Sequence, residues 1–240
     1  MVKLNFGSCK VTPAVLVISM LFISCLITSN LLVVKIMTLS FSEGSWLHRL
    51  FPEGLKASCG IIPFPVTYFL GDILTEVYGF RTSRCVIWIG LMSMVIVSSF
   101  IHLSIALPAA SIFEHQDAYK AIFQSSFRIT LASIVAYFFG ELVNALLMSW
   151  LKVKTLGRYL WLRAFTSTLV GNIVDTFLFC TIVYTHVLVI QDLIEISFTE
   201  LGLKVLFEFL ALPLTYWVST YLKKKDRIDV YDTDLFESAR

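Results

Sequence analysis

Charge is scarce in this sequence. Asp, Glu, Lys and Arg make up 15% of its 240 residues, where soluble domains sit near a quarter. Hydrophobic residues make up 57%, and the mean hydropathy is +0.80. This leaves no room for a sizeable soluble domain and points to membrane-spanning segments with short connections. The net charge of +2 says little, because the placement of charges matters more than their sum. Cys9, Cys25, Cys59, Cys85 and Cys180 contain no CxxC pair and fall mostly in or beside apolar runs. Neither a disulfide framework nor a zinc site is expected. His48, His102, His115 and His186 are dispersed without an HExxH pattern, which gives no basis for a metal or a general base. Walker, GxSxG and kinase signatures are all missing. The chain is therefore expected to be no enzyme, to hydrolyse no ATP and to need no cofactor.

The start of the chain, with Lys3 and Lys10 ahead of an apolar run, has the look of a signal peptide, and Ile23-Ser24-Cys25 faintly that of a lipoprotein cleavage site. The run is too long for a signal h-region and lacks the small-residue motif, so a retained first helix is expected.

What is present is apolar runs. About 20 apolar residues cross the hydrocarbon core, and six stretches meet that test: 12–37, 61–79, 85–107, 128–150, 164–189 and 200–222. The expected fold is an all-α membrane protein of six transmembrane helices forming a single domain over 1–240. Connections 40–60 and 108–127 are longish and mixed, 80–84 reads as a tight basic turn, and 191–199 carries two acids and no base. Outside the spans, thirteen Lys and Arg fall on one side (residues 3, 10, 81, 84, 152, 154, 158, 163, 223–225, 227 and 240) and four on the other (49, 56, 120, 128). Both termini are expected in the cytoplasm, with the chain multi-pass in the cytoplasmic (inner) membrane. Each half has three crossings, so the halves run in opposite directions, which is the arithmetic of an inverted repeat. The strings LGDILTE, FFGELVNA and LVGNIVDT each place Gly beside an acid or amide. Close helix packing at glycine explains that recurrence equally well.

The stretch 63–84, PFPVTYFLGDILTEVYGFRTSR, organises the rest. Asp72 and Glu76 stand four residues apart on one face of its helix. An ionisable group at membrane depth costs at least ~2.5 kcal/mol, so two on one face need partners, water or substrate. Other spans repeat the pattern with Glu141 and Asn144, Asn172 and Asp175, and Lys204 and Glu208, while Asn30 and Lys35 lie toward the outer face. Five acids (Asp72, Glu76, Glu141, Asp175, Glu208) against Lys35 and Lys204 leave an excess of carboxylates, which either hold protons or face a cation that comes and goes. A carboxylate also matches a guanine-like edge, accepting from a ring N–H and an exocyclic amine together. Other readings stay open residue by residue. Lys35 can snorkel to the interface, Lys204 and Glu208 can pair along one helix, and Asn30 and Asn144 can join helices. Asp72, Glu76 and Asp175 are hardest to explain by packing. Pro63 and Pro65 mark either an irregular entrance or a helix start. The span from 85 looks like scaffold. Basic clusters at 152–163 and 223–227 read as topology determinants and lipid contacts, with no nucleic acid implied.

Five segments carry a resemblance: NLLVVK at 30–35, PFPVTYFLGDILTEVYG at 63–79, GRYLWLR at 157–163, STLVGNIVDT at 167–176 and the acidic ending DRIDVYD at 226–232. Together they resemble the queuosine-precursor transporters, also grouped as vitamin-uptake-transporter-like proteins. The resemblance implies a six-helix importer of 7-deazaguanine compounds, either biosynthetic precursors or queuine, destined for the wobble position of tRNA. It also implies a fold similar to the substrate-binding subunits of energy-coupling-factor vitamin importers, working without a dedicated ATPase. Its polar motif residues fall here on Asn30, Lys35, Asp72, Glu76, Arg84, Arg163, Asn172 and Asp175. One position departs, since the family often has Gln where this chain has Asn172. The expected site stacks the substrate on Phe64, Tyr68 or Phe69 and bonds its edge to Asp72, Glu76 or Asp175. Asn172 would meet the carbonyl, and Glu141 and Glu208 are candidates for proton coupling. Expected partners are the small molecule and lipid, and a homo-oligomer is left open. Two rivals stand beside this reading: a binding subunit of an ATPase-driven vitamin importer, and a membrane scaffold or enzyme with no solute path.

Overall fold

Thr12 starts the first helix. Its hydroxyl accepts from the Val15 N–H at 3.3 Å, and Pro13 follows where its missing donor costs nothing. The result is α1 (Pro13–Leu32) in the computed structural model, which describes residues 12–45, 48–49, 51–155, 160–185 and 187–226. Two strands follow, β1 (Ile36–Leu39) and β2 (Leu55–Ser58), paired antiparallel with Ile36 opposite Ser58. A 3-10 turn at Cys59–Ile61 leads into α2 (Phe64–Tyr78). Gly79 then takes φ +86°, a conformation that residues with a Cβ rarely adopt, so α2 ends and α3 (Phe80–Ala106) begins on its far side. The short α4 (Gln116–Phe123) precedes the long helices α5 (Ser126–Lys154), α6 (Leu160–Tyr184) and α7 (Ile190–Asp226).

The runs Pro13–Leu32, Arg81–Ala106, Gln116–Asn144 and Phe165–Tyr184 are long and apolar enough to cross a membrane. A fifth comes from α7 if its two parts, Ile190–Ala211 and Pro213–Asp226, count together across their 45° bend. Pro213 accounts for the bend, because its ring removes a helix bond and crowds the preceding turn. The outer faces are apolar: Met20 is 68% exposed, Phe100 67% and Phe209 70%. Surfaces of that kind need lipid.

Several boundaries differ from the sequence expectation. The apolar run 12–37 spans two elements, because an aliphatic stretch suits helix or strand alike and β1's partner lies well down the chain. Segment 80–84 is helical, with the turn confined to Gly79. Segment 191–199 belongs to α7, where Leu193 and Ile196 bury themselves against Cys180, Val183 and Tyr184. The remaining helices run 126–154 and 160–184 rather than 128–150 and 164–189. Pro63 and Pro65 open a helix, and the irregular backbone is the 3-10 turn just before it.

Neighbouring helices touch in the order α1, α3, α5, α6, α7, α2 and back to α1, so the six long helices form a closed ring. Lipid is as apolar as leucine, so close packing and hydrogen bonds decide which faces turn inward. The helices α5 and α6 approach each other backbone to backbone at two glycines. A Cβ built on Gly171 would lie 3.0 Å from the Gly140 carbonyl oxygen, and one on Gly140 3.1 Å from that of Gly171. The buried core is divided in two. One cluster holds Val15, Phe22, Leu74, Val77 and Leu222 at the end where α1 starts. The other holds Val33, Ile129, Cys180 and Ile196 at the hairpin end.

The hairpin is tied to α7. Lys56 Nζ lies 2.8 Å from Asp192 Oδ1 and 3.1 Å from Glu195 Oε2. Those two carboxylates hold the Lys56 ammonium above its usual range. A raised ammonium stays charged below its unperturbed value and loses its charge only at higher pH, so the tie persists across neutral pH, where Asp192 and Glu195 are ionised. Lys56→Gln is expected to leave the helices intact and to speed hydrogen exchange of the β1 and β2 amides, read by mass spectrometry. Unchanged protection there would show that the ladder holds itself.

Candidate functional site

Each long helix sends polar side chains to the middle of the ring. From α2 come Thr67 and Asp72, from α5 Tyr137, Glu141 and Asn144, from α6 Asn172 and Asp175, and from α7 Glu200, Lys204 and Glu208. They line one cavity of about 350 Å³, to which α1 adds Asn30 and the segment after β2 adds Gly60 and Ile61. That volume lies in the range of roughly 300–1,000 Å³ usual for small-molecule sites. Phe22, Phe64 and Phe179 supply aromatic wall. Among the described residues, five acids in this lining (Asp72, Glu141, Asp175, Glu200, Glu208) face a single lysine, Lys204.

The pairings inside are specific. Lys204 Nζ lies 3.1 Å from Asp175 Oδ2, donates to Thr176 Oγ1 at 3.0 Å and sits 4.6 Å from the centroid of the Phe64 ring. Lys204 is only 5% exposed, and a buried ammonium needs such partners. Asn172 donates to Glu208 Oε2 at 3.3 Å. Glu200 is buried and accepts the Ser58 backbone N–H at 3.1 Å, which pins the end of β2 to α7. Asn30 accepts from Ser133 Oγ at 2.7 Å and donates to the Leu26 carbonyl at 3.0 Å, so this amide joins α1 to α5 at the cavity edge. Asp72 is accessible and opens onto the cavity. Arg84, one residue after the lining residue Ser83, stands close enough to Glu141 to interact with it electrostatically.

Of the residues singled out in the sequence, Asn30, Phe64, Asp72, Glu141, Asn144, Asn172, Asp175, Lys204 and Glu208 meet around this cavity. Three others stand apart, the first being Phe69, which packs against the core cluster of Val15, Phe22 and Leu74. Lys35 is exposed in the bend between α1 and β1, and Glu76 is ion-paired with Lys223 of α7 beyond the cavity lining. Although Glu76 shares a helix with Asp72, and its neighbour Thr75 still lines the cavity, its own side chain is drawn to Lys223 at the basic end of α7. The side chains of Tyr68 and Arg163, and the segments with Lys3, Lys10, Arg158 and 227–232, lie outside the described residues. Glu200 escaped the sequence reading because it fell at the expected edge of its span. Its spacing, four residues before Lys204 and eight before Glu208, was the available signal. Glu76→Gln is expected to keep ligand affinity within about twofold, the size of a screened surface pair. A large loss in a binding titration would put Glu76 in the site after all.

A ring of helices, several of them long and apolar enough to cross a membrane, closed round a polar, solute-sized cavity is the build of a solute transporter. Residues 58–218 match the family described as "Putative vitamin uptake transporter", and the chain belongs to that family. It is a multi-pass membrane transporter of the cytoplasmic (inner) membrane and not an enzyme. It is 25% identical over 175 residues to a Bacillus subtilis protein named "Probable queuosine precursor transporter", covering 72% of this chain and 76% of that protein. A Haemophilus influenzae protein of the same name is 27% identical over 126 residues, covering 52% of this chain. The match spans only 51% of that relative's length. No solved structure matches the chain.

Proposed function

We propose that this chain is a secondary importer of queuosine precursors or queuine, 7-deazaguanine compounds that feed tRNA modification. The observation that carries this reading is the cavity at which Asp72, Asn172 and Asp175 converge. The heterocycle stacks on Phe64 and presents its guanine-like edge to Asp72 or Asp175, whose oxygens accept two N–H groups, while Asn172 donates to the carbonyl. Asn172 has a shorter reach than Gln, and Glu208 of the neighbouring helix orients its amide by accepting from it at 3.3 Å.

The chain crosses the membrane six times as one domain, with both termini in the cytoplasm. The span through α2 is a broken one: its 15 helical residues give about 22 Å, and the 3-10 turn before it makes up the rest of a roughly 30 Å core. Broken spans beside a cavity are a habit of transporters. The thirteen basic residues on one side against four on the other support the orientation. Inverted repeats and a likeness to energy-coupling-factor subunits complete the expected architecture, although the glycine contact between α5 and α6 accounts for two of the three similar strings by packing alone.

The test is uptake in cells unable to make queuosine, given each 7-deazaguanine separately, with queuosine in tRNA as readout. Modification restored only when this chain is expressed supports the proposal, and no restoration with any compound sinks it. Running the assay in a host lacking every energy-coupling-factor ATPase separates a secondary importer from a binding subunit.

A further inference from the structure

The Lys204 ammonium sits in surroundings that would hold a free organic cation. A carboxylate oxygen of Asp175 lies at 3.1 Å, the Thr176 hydroxyl at 3.0 Å and the centroid of the Phe64 ring at 4.6 Å. Anion, hydroxyl and aromatic face together are what recognises an alkylammonium group. Asp175 and Phe64 belong to the cavity lining, so these two are open to a ligand, while Thr176 is fully buried.

We infer that Phe64 and Asp175 form a cation subsite for which the Lys204 ammonium and a positively charged amine on the substrate compete. This rests on the reading of the cavity as a site for 7-deazaguanines and narrows the preferred substrates to those that carry such an amine. Lysine suits an exchangeable role, since its charge is compact and its four-carbon stem is flexible. A displaced Lys204 has somewhere to go. Glu200 and Glu208 stand one helical turn to either side on α7, and both line the cavity. When a substrate ammonium takes Asp175, Lys204 moves to Glu208 or Glu200, and neither ammonium is left without a carboxylate at membrane depth. A neutral substrate that displaced Lys204 would strand the Asp175 carboxylate. On release the tethered ammonium returns at high effective concentration and drives the substrate's amine off.

The test compares two ligands of nearly equal size, 7-aminomethyl-7-deazaguanine and its neutral 7-hydroxymethyl counterpart, by calorimetry on the purified full chain. The native protein is expected to bind the ammonium compound about tenfold more tightly. In Lys204→Met the competitor is gone, so the ratio should widen by about a further tenfold while uptake of the ammonium compound falls. A purely structural lysine would instead weaken both ligands alike. Asp175→Asn should bring the ratio to within about twofold of unity, and it decides the matter together with the native ratio if Lys204→Met does not fold. Equal affinity of the native protein for both ligands overturns the subsite and leaves the transport reading standing. Binding of neither ligand removes that reading and the subsite with it.

Discussion

Asp72→Asn is expected to abolish uptake while leaving the protein in the membrane at its usual level. The carboxylate opens onto the cavity, and among the described residues no hydrogen bond or ion pair ties it to a packing partner. Its removal therefore costs little structure, and deleting a charge at this depth makes insertion easier. The ligand loses an anionic acceptor and meets an amide N–H where it presents its own donor. A hydrogen bond to a charged group is worth about 1.5–3 kcal/mol, or roughly 10- to 100-fold in affinity. Uptake of labelled substrate, normalised to the amount of protein in the membrane fraction, measures the loss. Normal uptake by this variant would remove Asp72 from the site and weaken the transport mechanism built on it.

Gly171→Val is expected to have the other large effect, on stability and on site geometry together. A Cβ at Gly171 would already lie 3.0 Å from the Gly140 carbonyl oxygen and 3.1 Å from Asn144 Cβ. Two added methyl groups have nowhere to go, because the obstacle is helix backbone. α5 and α6 must separate, at a cost of about 2 kcal/mol or more. Separation also pulls Asn172 and Asp175 away from the residues they face, so ligand binding falls with the unfolding temperature in detergent. Gly71→Ala is the control. A Cβ there meets only a Phe22 ring atom, at an ordinary 3.7 Å, and stability should stay within about 1 kcal/mol of native, given alanine's better helix propensity. If Gly171→Val proves as stable as Gly71→Ala, the close approach of α5 and α6 is wrong.

These two glycines show how far similar strings can mislead. LGDILTE, FFGELVNA and LVGNIVDT read alike, yet two of them meet each other as packing surfaces while Gly71 faces the cavity without crowding. The polar residues were easier to read. Asp72, Glu141, Asn172, Asp175 and Glu208 could be picked out one by one, because a charge or amide inside an apolar run is costly wherever its helix ends up. Pairing was not legible. Lys204 and Glu208 fit each other along one helix by spacing, but Lys204 bonds to Asp175 and Glu208 to Asn172, both across to α6. Spacing reports neighbours on one helix only, and these contacts depend on how α6 and α7 cross.

By itself the sequence determined that the chain lives in lipid, which polar groups must be sheltered there and, through its motifs, the family it resembles. All of these follow from transfer cost and local composition, properties of a residue and its near neighbours. Only the tertiary structure decided that six helices close into a ring round one cavity, that Glu200 joins the site while Glu76 is drawn off to Lys223, and that a hairpin ties onto α7 at one end. Those outcomes depend on contacts between residues as far apart as Ser58 and Glu200 or Glu76 and Lys223, which no window along the chain contains.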